Sequence, residues 1–131
     1  MWWSKFFIGL VVLISLSCQP EKNESVEDIN TSKVPVIFDT DFGPDYDDVG
    51  ALALLHSYAD SGRAEILAVM ASSLDERVIP SIDVVNTYFG RPDIPIGRPS
   101  SPGVNLGAWQ GWADTLIANY SYDTTNQVND A

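Results

Sequence analysis

The length and composition of the chain describe one small globular domain. It has 131 residues, of which 45% are hydrophobic and 19% are charged, a balance that excludes a disordered or fibrous protein. Eighteen acidic residues outnumber seven basic ones, and the formal net charge is -11. Nucleic-acid polymers are excluded as partners, because phosphate backbones are bound by clustered Lys and Arg side chains and this sequence has no such cluster.

The N-terminus has the pattern of an export signal. Lys5 precedes an uncharged stretch from Phe6 to Leu16, which is too short to span a bilayer but is typical of a signal peptide. Ser17 and Cys18, the sole cysteine, follow directly and resemble the lipobox of bacterial lipoproteins. The pattern predicts a signal peptide over residues 1-17, lipidation of Cys18, and an exported protein held by lipid on a bacterial membrane, periplasmic or at the cell surface. An ordinary cleaved signal with an incidental cysteine is the alternative.

Residues 18-33 are predicted to be a flexible tether between the lipid anchor and the folded domain. The stretch from Gln19 to Lys33 is polar, charged and almost free of apolar side chains, so it cannot bury a core. The folded domain is therefore expected to begin at residue 34.

Strand and helix patterns alternate from residue 34 onward. Apolar runs predict strands at residues 34-38, 65-70 and 94-96, and helical spacing predicts helices that begin at Asp47 and at Arg77. This βαβαβ order predicts an α/β fold, in which right-handed crossovers build a parallel sheet with flanking helices. Further on, a short helix within residues 107-120 is expected to place Trp109, Trp112 and Leu116 on one side.

Five aspartates lie in the ten residues from Asp39 to Asp48. The first predicted strand leads into this segment, and ligands of parallel sheets bind outside the carboxyl ends of the strands. Carboxylates that converge on one point bind a hard cation, and a flexible loop with many oxygen ligands favours calcium over magnesium. A run of solvated acids that caps a helix is the alternative.

Two other kinds of site, an EF-hand loop and a phosphatase site, match the aspartates less well than a calcium site at the end of a strand. An EF-hand loop starting at Asp39 would need glycine at its sixth position and glutamate at its twelfth, where this chain has Pro44 and Gly50. A phosphatase resembling the haloacid dehalogenases would share the strand that runs into D-x-D. That family typically has Thr or Val at the position of Gly43, and the additional carboxylates would repel a phosphate. This phosphatase remains a less favoured alternative.

Two segments resemble the inosine-uridine-preferring nucleoside hydrolases. DTDFGPDYDDVGALALLH, residues 39-56, resembles the N-terminal signature of that family, with extra residues before the final D-D. SIDVVNTYFGRPDIPIG, residues 81-97, is similar to the second helix and the strand after it. The resemblance covers nearly all of residues 34-97. It implies a Rossmann-like nucleoside hydrolase fold, calcium as cofactor, and hydrolysis of the N-glycosidic bond of a small ribonucleoside or related N-riboside.

The resemblance also implies a role for each aspartate. Asp41 would bind calcium and act as the general base on a calcium-activated water, and Asp48 would be a second calcium ligand. Asp47 would accept hydrogen bonds from a ribose hydroxyl, and Asp45, in the inserted stretch, is assigned to substrate binding beside it. Asp39 would orient these ligands without binding the calcium itself.

A second functional class stays open beside the enzyme. Ala71 and Ser72 occupy the place where many family members have a Gly-Asn pair whose Asn touches the ribose. Family members are also longer, so residues 34-131 are expected to form only the N-terminal part of the domain, without the remaining calcium ligands and the leaving-group acid. The alternative function is a non-catalytic lipoprotein that binds calcium and sugar. A homo-oligomer is left open, and His56 is interpreted as structural.

Overall fold

A computed structural model describes residues 32–100 and 103–129 of the chain. The predicted signal peptide, Cys18 and nearly all of the predicted tether lie outside these residues. The described part contains four strands and three helices, in the order β1 (Val34–Thr40), α1 (Asp47–Asp60), β2 (Ala64–Ala71), α2 (Val78–Tyr88), β3 (Ile96–Arg98), α3 (Trp112–Asn119) and β4 (Gln127–Asn129).

The four strands form one parallel sheet in the order β1-β2-β3-β4. Each strand is joined to the next by a helix, as a parallel arrangement requires. α2 packs against both α1 and α3, so the helices form a layer beside the sheet. The predicted α/β class with a parallel sheet is confirmed.

The core lies between this helix layer and the sheet. Alternate residues of β1 differ in exposure: Val36, Phe38 and Thr40 are half-buried or buried, whereas Ile37 and Asp39 are exposed. Five of the ten residues of the buried apolar cluster lie in α1 and α2. The most deeply buried apolar side chains are Phe42, Leu52, Val69, Ile82 and Ile96.

Several predicted boundaries are corrected by the structure. β1 continues through Asp39 and Thr40, which pair with β2. The third strand begins at Ile96 rather than at residue 94, because a turn holds Ile94 N against Arg91 O and pairing with β2 starts at Ile96. The last strand, β4, was not predicted, and it is only three residues long.

The third helix is shorter than expected, because a turn closed by a hydrogen bond from Gly111 N to Ala108 O precedes it. Trp109 therefore lies outside the helix and is 74% exposed, whereas Trp112 begins the helix and is half-buried. Within residues 32–100 and 103–129, none of the helices has both the length and the apolar surface needed to cross a bilayer.

Candidate functional site

The loop between β1 and α1 folds back over the first turn of the helix. Phe42 makes this possible with a left-handed backbone, at φ 50°, a conformation that is costly for a bulky residue. Its N–H donates hydrogen bonds to Thr40 Oγ1 at 3.0 Å and to Asp48 Oδ2 at 2.9 Å. The ring of Phe42 is buried in the core. The end of β1 and the start of α1 are thereby held together through one backbone amide.

The two predicted calcium ligands, Asp41 and Asp48, meet at this point. Both are partly buried, and their carboxyl groups are close enough for one of them, when protonated, to donate a hydrogen bond to the other. The pKa of Asp41 is raised, first by burial and then by the hydrogen bond and the negative charge of Asp48. The negative charge of Asp48 therefore favours the protonated form of Asp41, and a bound cation would relieve the same repulsion.

Asp45 and Asp47 form a second carboxyl pair in the same loop. Both are exposed, and they are close enough for a protonated Asp45 to donate a hydrogen bond to Asp47. This bond raises the pKa of Asp45 and lowers that of Asp47. The charge of Asp45 also contributes to the raised pKa of Asp41. The loop thus brings together the four aspartates of residues 41–48 as two neighbouring pairs.

Asp39 is placed differently from the other four aspartates. It lies within β1, opposite Met70 of β2. Its side chain is exposed, on the opposite face of the strand from the buried Thr40. No hydrogen bond joins it to the loop aspartates in the described part of the chain. Its assigned role in orienting the calcium ligands stays a prediction.

The donor set of the loop suits part of a calcium site. Nowhere in the described residues do three or more His, Cys, Asp or Glu side chains converge closely enough to hold a metal ion. The Asp41–Asp48 pair supplies the two carboxylates that the resemblance assigns. Calcium takes about six to eight oxygen ligands, so the pair would need further oxygens from backbone carbonyls, water or the hydroxyls of a sugar.

Residues far from this loop in the sequence pack against it. Trp112, the first residue of α3, contacts Phe42 edge-on with ring centroids 5.8 Å apart, and its Nε1 donates to Pro44 O at 3.5 Å. A Cβ placed on Gly43 would lie 3.5 Å from Ala108 N. The aromatic spacing predicted an apolar helix face here, but it gave no sign that this face packs on a loop 68 residues away.

A second charged cluster lies after β2. Asp75 accepts two hydrogen bonds from the Arg77 guanidinium, at 2.9 Å and 2.6 Å, and one from Arg77 N. Arg77 also donates to Asp114 of α3 at 3.1 Å. The bonds from Arg77 lower the pKa of Asp75, although its side chain is only 10% exposed. Sequence reasoning missed this cluster, because the three residues are ordinary surface types until the fold brings them together.

A polar pocket of about 390 Å³ opens beside this cluster. The chain from Asn105 to Ala108 connects the pocket with the acidic loop: Asn105 lines the pocket, Gly107 packs on the Asp75–Arg77 ion pair, and Ala108 contacts the loop. The pocket is lined by Leu74, Asp75, Glu76, Arg77, Arg98 and Asn105.

His56 lies away from the acidic loop and is fully buried between α1 and α2. Its Nε2 is 2.9 Å from Asn86 Oδ1, and its ring stacks on Phe89 with centroids 4.7 Å apart. Burial is the main reason that its pKa is lowered. This position agrees with the interpretation of His56 as a structural residue.

Comparisons with protein-family models, with curated proteins and with solved structures find no match to this chain.

Proposed function

We propose that this protein is a calcium-dependent N-glycosyl hydrolase of the nucleoside hydrolase type, which cleaves ribonucleosides or a related N-riboside. The observation that carries the proposal is the contact between Asp41 and Asp48 at the carboxyl end of β1, where burial and then the neighbouring Asp48 raise the pKa of Asp41. Uncompensated carboxyl groups at that end of a parallel sheet are suited to a cation and a polar ligand. The four-stranded parallel sheet is compatible with a Rossmann-like nucleoside hydrolase fold.

Each loop aspartate has a chemical task in this proposal. Asp41 and Asp48 would hold the calcium, and Asp41 would take the proton of the attacking water as general base. Asp47 and Asp45, which are exposed at the mouth of the loop, accept hydrogen bonds from ribose hydroxyls. Bound calcium supplies positive charge that orients the sugar hydroxyls and acidifies the water.

The same carboxylates would assist bond cleavage. Breaking a ribosyl C–N bond passes through a transition state with oxocarbenium character, as other glycosidic cleavages do. Negative charge on the loop would stabilise the positive charge that develops on the sugar. The burial of Phe42 and the contact of Trp112 hold the loop in place, so little reorganisation is needed during the reaction.

A non-catalytic protein that binds calcium and sugar is the second candidate. It is favoured by the small number of acidic ligands, since the described residues bring only pairs of carboxylates together. The two candidates share the metal site and differ in turnover. A phosphatase is less well supported, because a phosphate would meet four aspartates in the loop.

Export and lipid anchoring at Cys18 form a separate part of the proposal. They rest on the apolar N-terminal stretch and on the sole cysteine that follows it. Metabolic labelling with a radioactive fatty acid in a bacterial host tests them. We expect label in the membrane-bound protein and none in a Cys18→Ser variant; label that persists in the variant would refute the assignment of Cys18.

Turnover tests the catalytic proposal. The full-length gene product is incubated with inosine or uridine and calcium, and the released base is quantified. Loss of a general base costs about 10² to 10⁴ in rate, so Asp41→Asn should lose at least about a hundredfold. Asp93→Asn, an exposed aspartate outside the loop, is the matched control and should keep full activity.

The outcomes separate the candidates. Equal turnover by wild type and Asp41→Asn would remove Asp41 from the mechanism. A wild-type protein that binds calcium through Asp48 but releases no base from either nucleoside would support the non-catalytic candidate.

A further inference from the structure

The imidazole of His56 is enclosed by residues of α1 and α2. It lies in the second half of α1 and is 0% exposed. Its ring stacks on that of Phe89, the residue that caps the end of α2, at an interplanar angle of 7°. Because water does not reach the ring, a proton that binds it must be accommodated by the protein groups around it.

Both nitrogens of the ring have a partner, and the two partners differ in kind. Nε2 lies 2.9 Å from Asn86 Oδ1, and Nδ1 lies 3.4 Å from Nη1 of the Arg91 guanidinium. A guanidinium group can only donate, so Nδ1 must accept and keep its lone pair. The neutral ring then carries its hydrogen on Nε2, which donates to Asn86 Oδ1. The surroundings of His56 therefore select one neutral form of the ring.

Arg91 is held beside the ring by several contacts. Gly90 ends α2 with a left-handed backbone at φ 73°, and Arg91 N donates to Asn86 O at 2.9 Å. The guanidinium also donates to Phe89 O at 3.2 Å and forms an ion pair with Asp60 of α1 at 2.5 Å. The positive charge of Arg91 therefore cannot leave Nδ1 unless these contacts break.

A proton on Nδ1 finds no acceptor among these groups. It would point at the Arg91 guanidinium and place a second positive charge beside it. The carboxylate of Asp60 is already bound to Arg91. The helix and the strand that pack against α1 offer no other acid: Glu65 of β2 is exposed, and Asp83 of α2 accepts hydrogen bonds from the turn before β4.

The pKa of His56 agrees with this geometry. Burial, and after it the positive charge of Arg91, lower the pKa below its ordinary 6.5, although the bond to Asn86 and the charge of Asp60 oppose them. The neutral ring is therefore the form that the folded protein favours.

We propose that His56 is an acid-sensitive latch, which holds the second half of α1 against the end of α2 while the ring is neutral and releases it when the ring is protonated. The latch joins α1 to the residues that end α2 and lead into β3. The first turn of α1 carries Asp47 and Asp48, so release would loosen the helix on which the acidic loop is built. The proposal does not depend on the proposed catalytic function and gives His56 no part in the chemistry.

The pH dependence of stability tests the latch. Above 6.5 the ring is neutral in the folded and the unfolded protein. As the pH falls below that value the unfolded chain binds the proton first, so stability is lost until the folded-state pKa is reached. In urea denaturation of the full-length protein, the unfolding constant should rise by up to about tenfold from about pH 7.5 to about pH 5.5 through this group.

His56→Gln is the matched variant for this measurement. Glutamine supplies one donor and one acceptor, as the neutral ring does, but does not titrate. The variant should therefore lack the part of the rise that His56 contributes. An equal rise in wild type and His56→Gln would overturn the proposal.

The titration of His56 itself is a second readout, which does not need the glutamine variant to fold. NMR spectroscopy of the imidazole nitrogens follows it, with the signal assigned through the contact with Phe89. Arg91→Gln should raise the midpoint and Asp60→Asn should lower it, because each removes a charge of opposite sign. Arg63→Gln, an exposed arginine in the turn after α1, is the control and should leave it unchanged. A midpoint at or above 6.5, a hydrogen on Nδ1 of the neutral ring, or shifts of the same sign in both variants would overturn the proposal.

Hydrogen exchange tests the release step. Amide protection, corrected for the intrinsic exchange rate, should fall more in residues 54–60 and 86–91 than in β2 when the pH is lowered from about 7.5 to about 5.5. The difference should vanish in His56→Gln. An equal loss of protection in all elements of the wild type would show that protonation does not release α1 from α2.

Discussion

The two charged clusters, one after β1 and one after β2, differ in whether the protein itself neutralises their negative charge. In the loop after β1, Asp41 meets Asp48, and two groups of the same sign share one place. In the cluster after β2, Asp75 is held by the Arg77 guanidinium, which also reaches Asp114. The first arrangement is incomplete without a proton or a cation, whereas the second is complete within the protein.

This difference indicates what each cluster is for. The Asp75–Arg77 ion pair joins the start of α2 to α3, and Gly107 packs directly on it. The same stretch of chain then reaches the acidic loop through Ala108 and Trp112. The compensated cluster, Asp75 with Arg77, therefore holds in place the segment that packs against the uncompensated cluster, Asp41 with Asp48. We interpret the first cluster as structural and the second as the candidate functional site.

The largest expected effect comes from disturbing the compensated cluster. A Cβ added at Gly107 would overlap both the Asp75 carboxylate and the Arg77 guanidinium, so the ion pair must move or break. Both groups are the ends of flexible side chains, so the cost comes from separating the largely buried Asp75 carboxylate from Arg77. We expect Gly107→Ala to lower the free energy of unfolding by about 2 kcal/mol, within the ~1 to 3 kcal/mol for a buried polar group that loses its partner. Chemical denaturation measures the change.

Gly50 is the control for this substitution. It lies in α1, and a Cβ there meets no atom within 4 Å, so Gly50→Ala should stabilise the helix by about 0.5 to 1 kcal/mol. If both variants changed stability alike, the close packing of Gly107 on the ion pair would not matter for the fold.

The sequence predicted the elements that have a strong local pattern. The strand that begins at Val34, the helix that begins at Asp47 and the position of the aspartates at the carboxyl end of the strand all follow from periodicity, helix-terminal preference and the parallel arrangement. β4 was missed because Gln127–Asn129 is short and polar and is a strand only through its pairing with β3.

Contacts between distant parts of the chain could not be predicted in the same way. The left-handed backbone of Phe42 has no local signal, because it is stabilised by Asp48 and by the packing of Trp112. The bond between Arg77 and Asp114 likewise depends on where α3 docks. Local pattern therefore located the acidic loop, and tertiary packing decided which carboxyl groups pair within it.

Calcium should act on the uncompensated cluster alone. With an affinity in the millimolar range of weak sites, about 10 mM calcium would stabilise the protein by about 1.4 kcal/mol, or about 6 to 11 °C in melting temperature for a domain of this size. Asp48→Ala should abolish the rise. Asp75→Asn, in the other cluster, should be less stable without calcium and should show the same rise. An undiminished rise in Asp48→Ala would refute the metal site.

The smallest expected effect is an opposite pH dependence of the two clusters without calcium. The pKa of Asp75 is lowered from its ordinary 3.8, so its stabilisation is present above that value and is lost as the pH falls through the folded-state pKa. The pKa of Asp41 is raised, so the protein is more stable below 3.8 and loses that stability as the pH rises through the folded-state pKa.

In the presence of a chelator, Asp75→Asn should therefore be less stable than wild type at pH 7, and Asp41→Asn should be more stable. Both differences should be about 1 kcal/mol or less and should shrink towards pH 3 in urea denaturation. Differences of the same sign in both variants at pH 7 would show that the two carboxyl groups are not in opposite electrostatic environments.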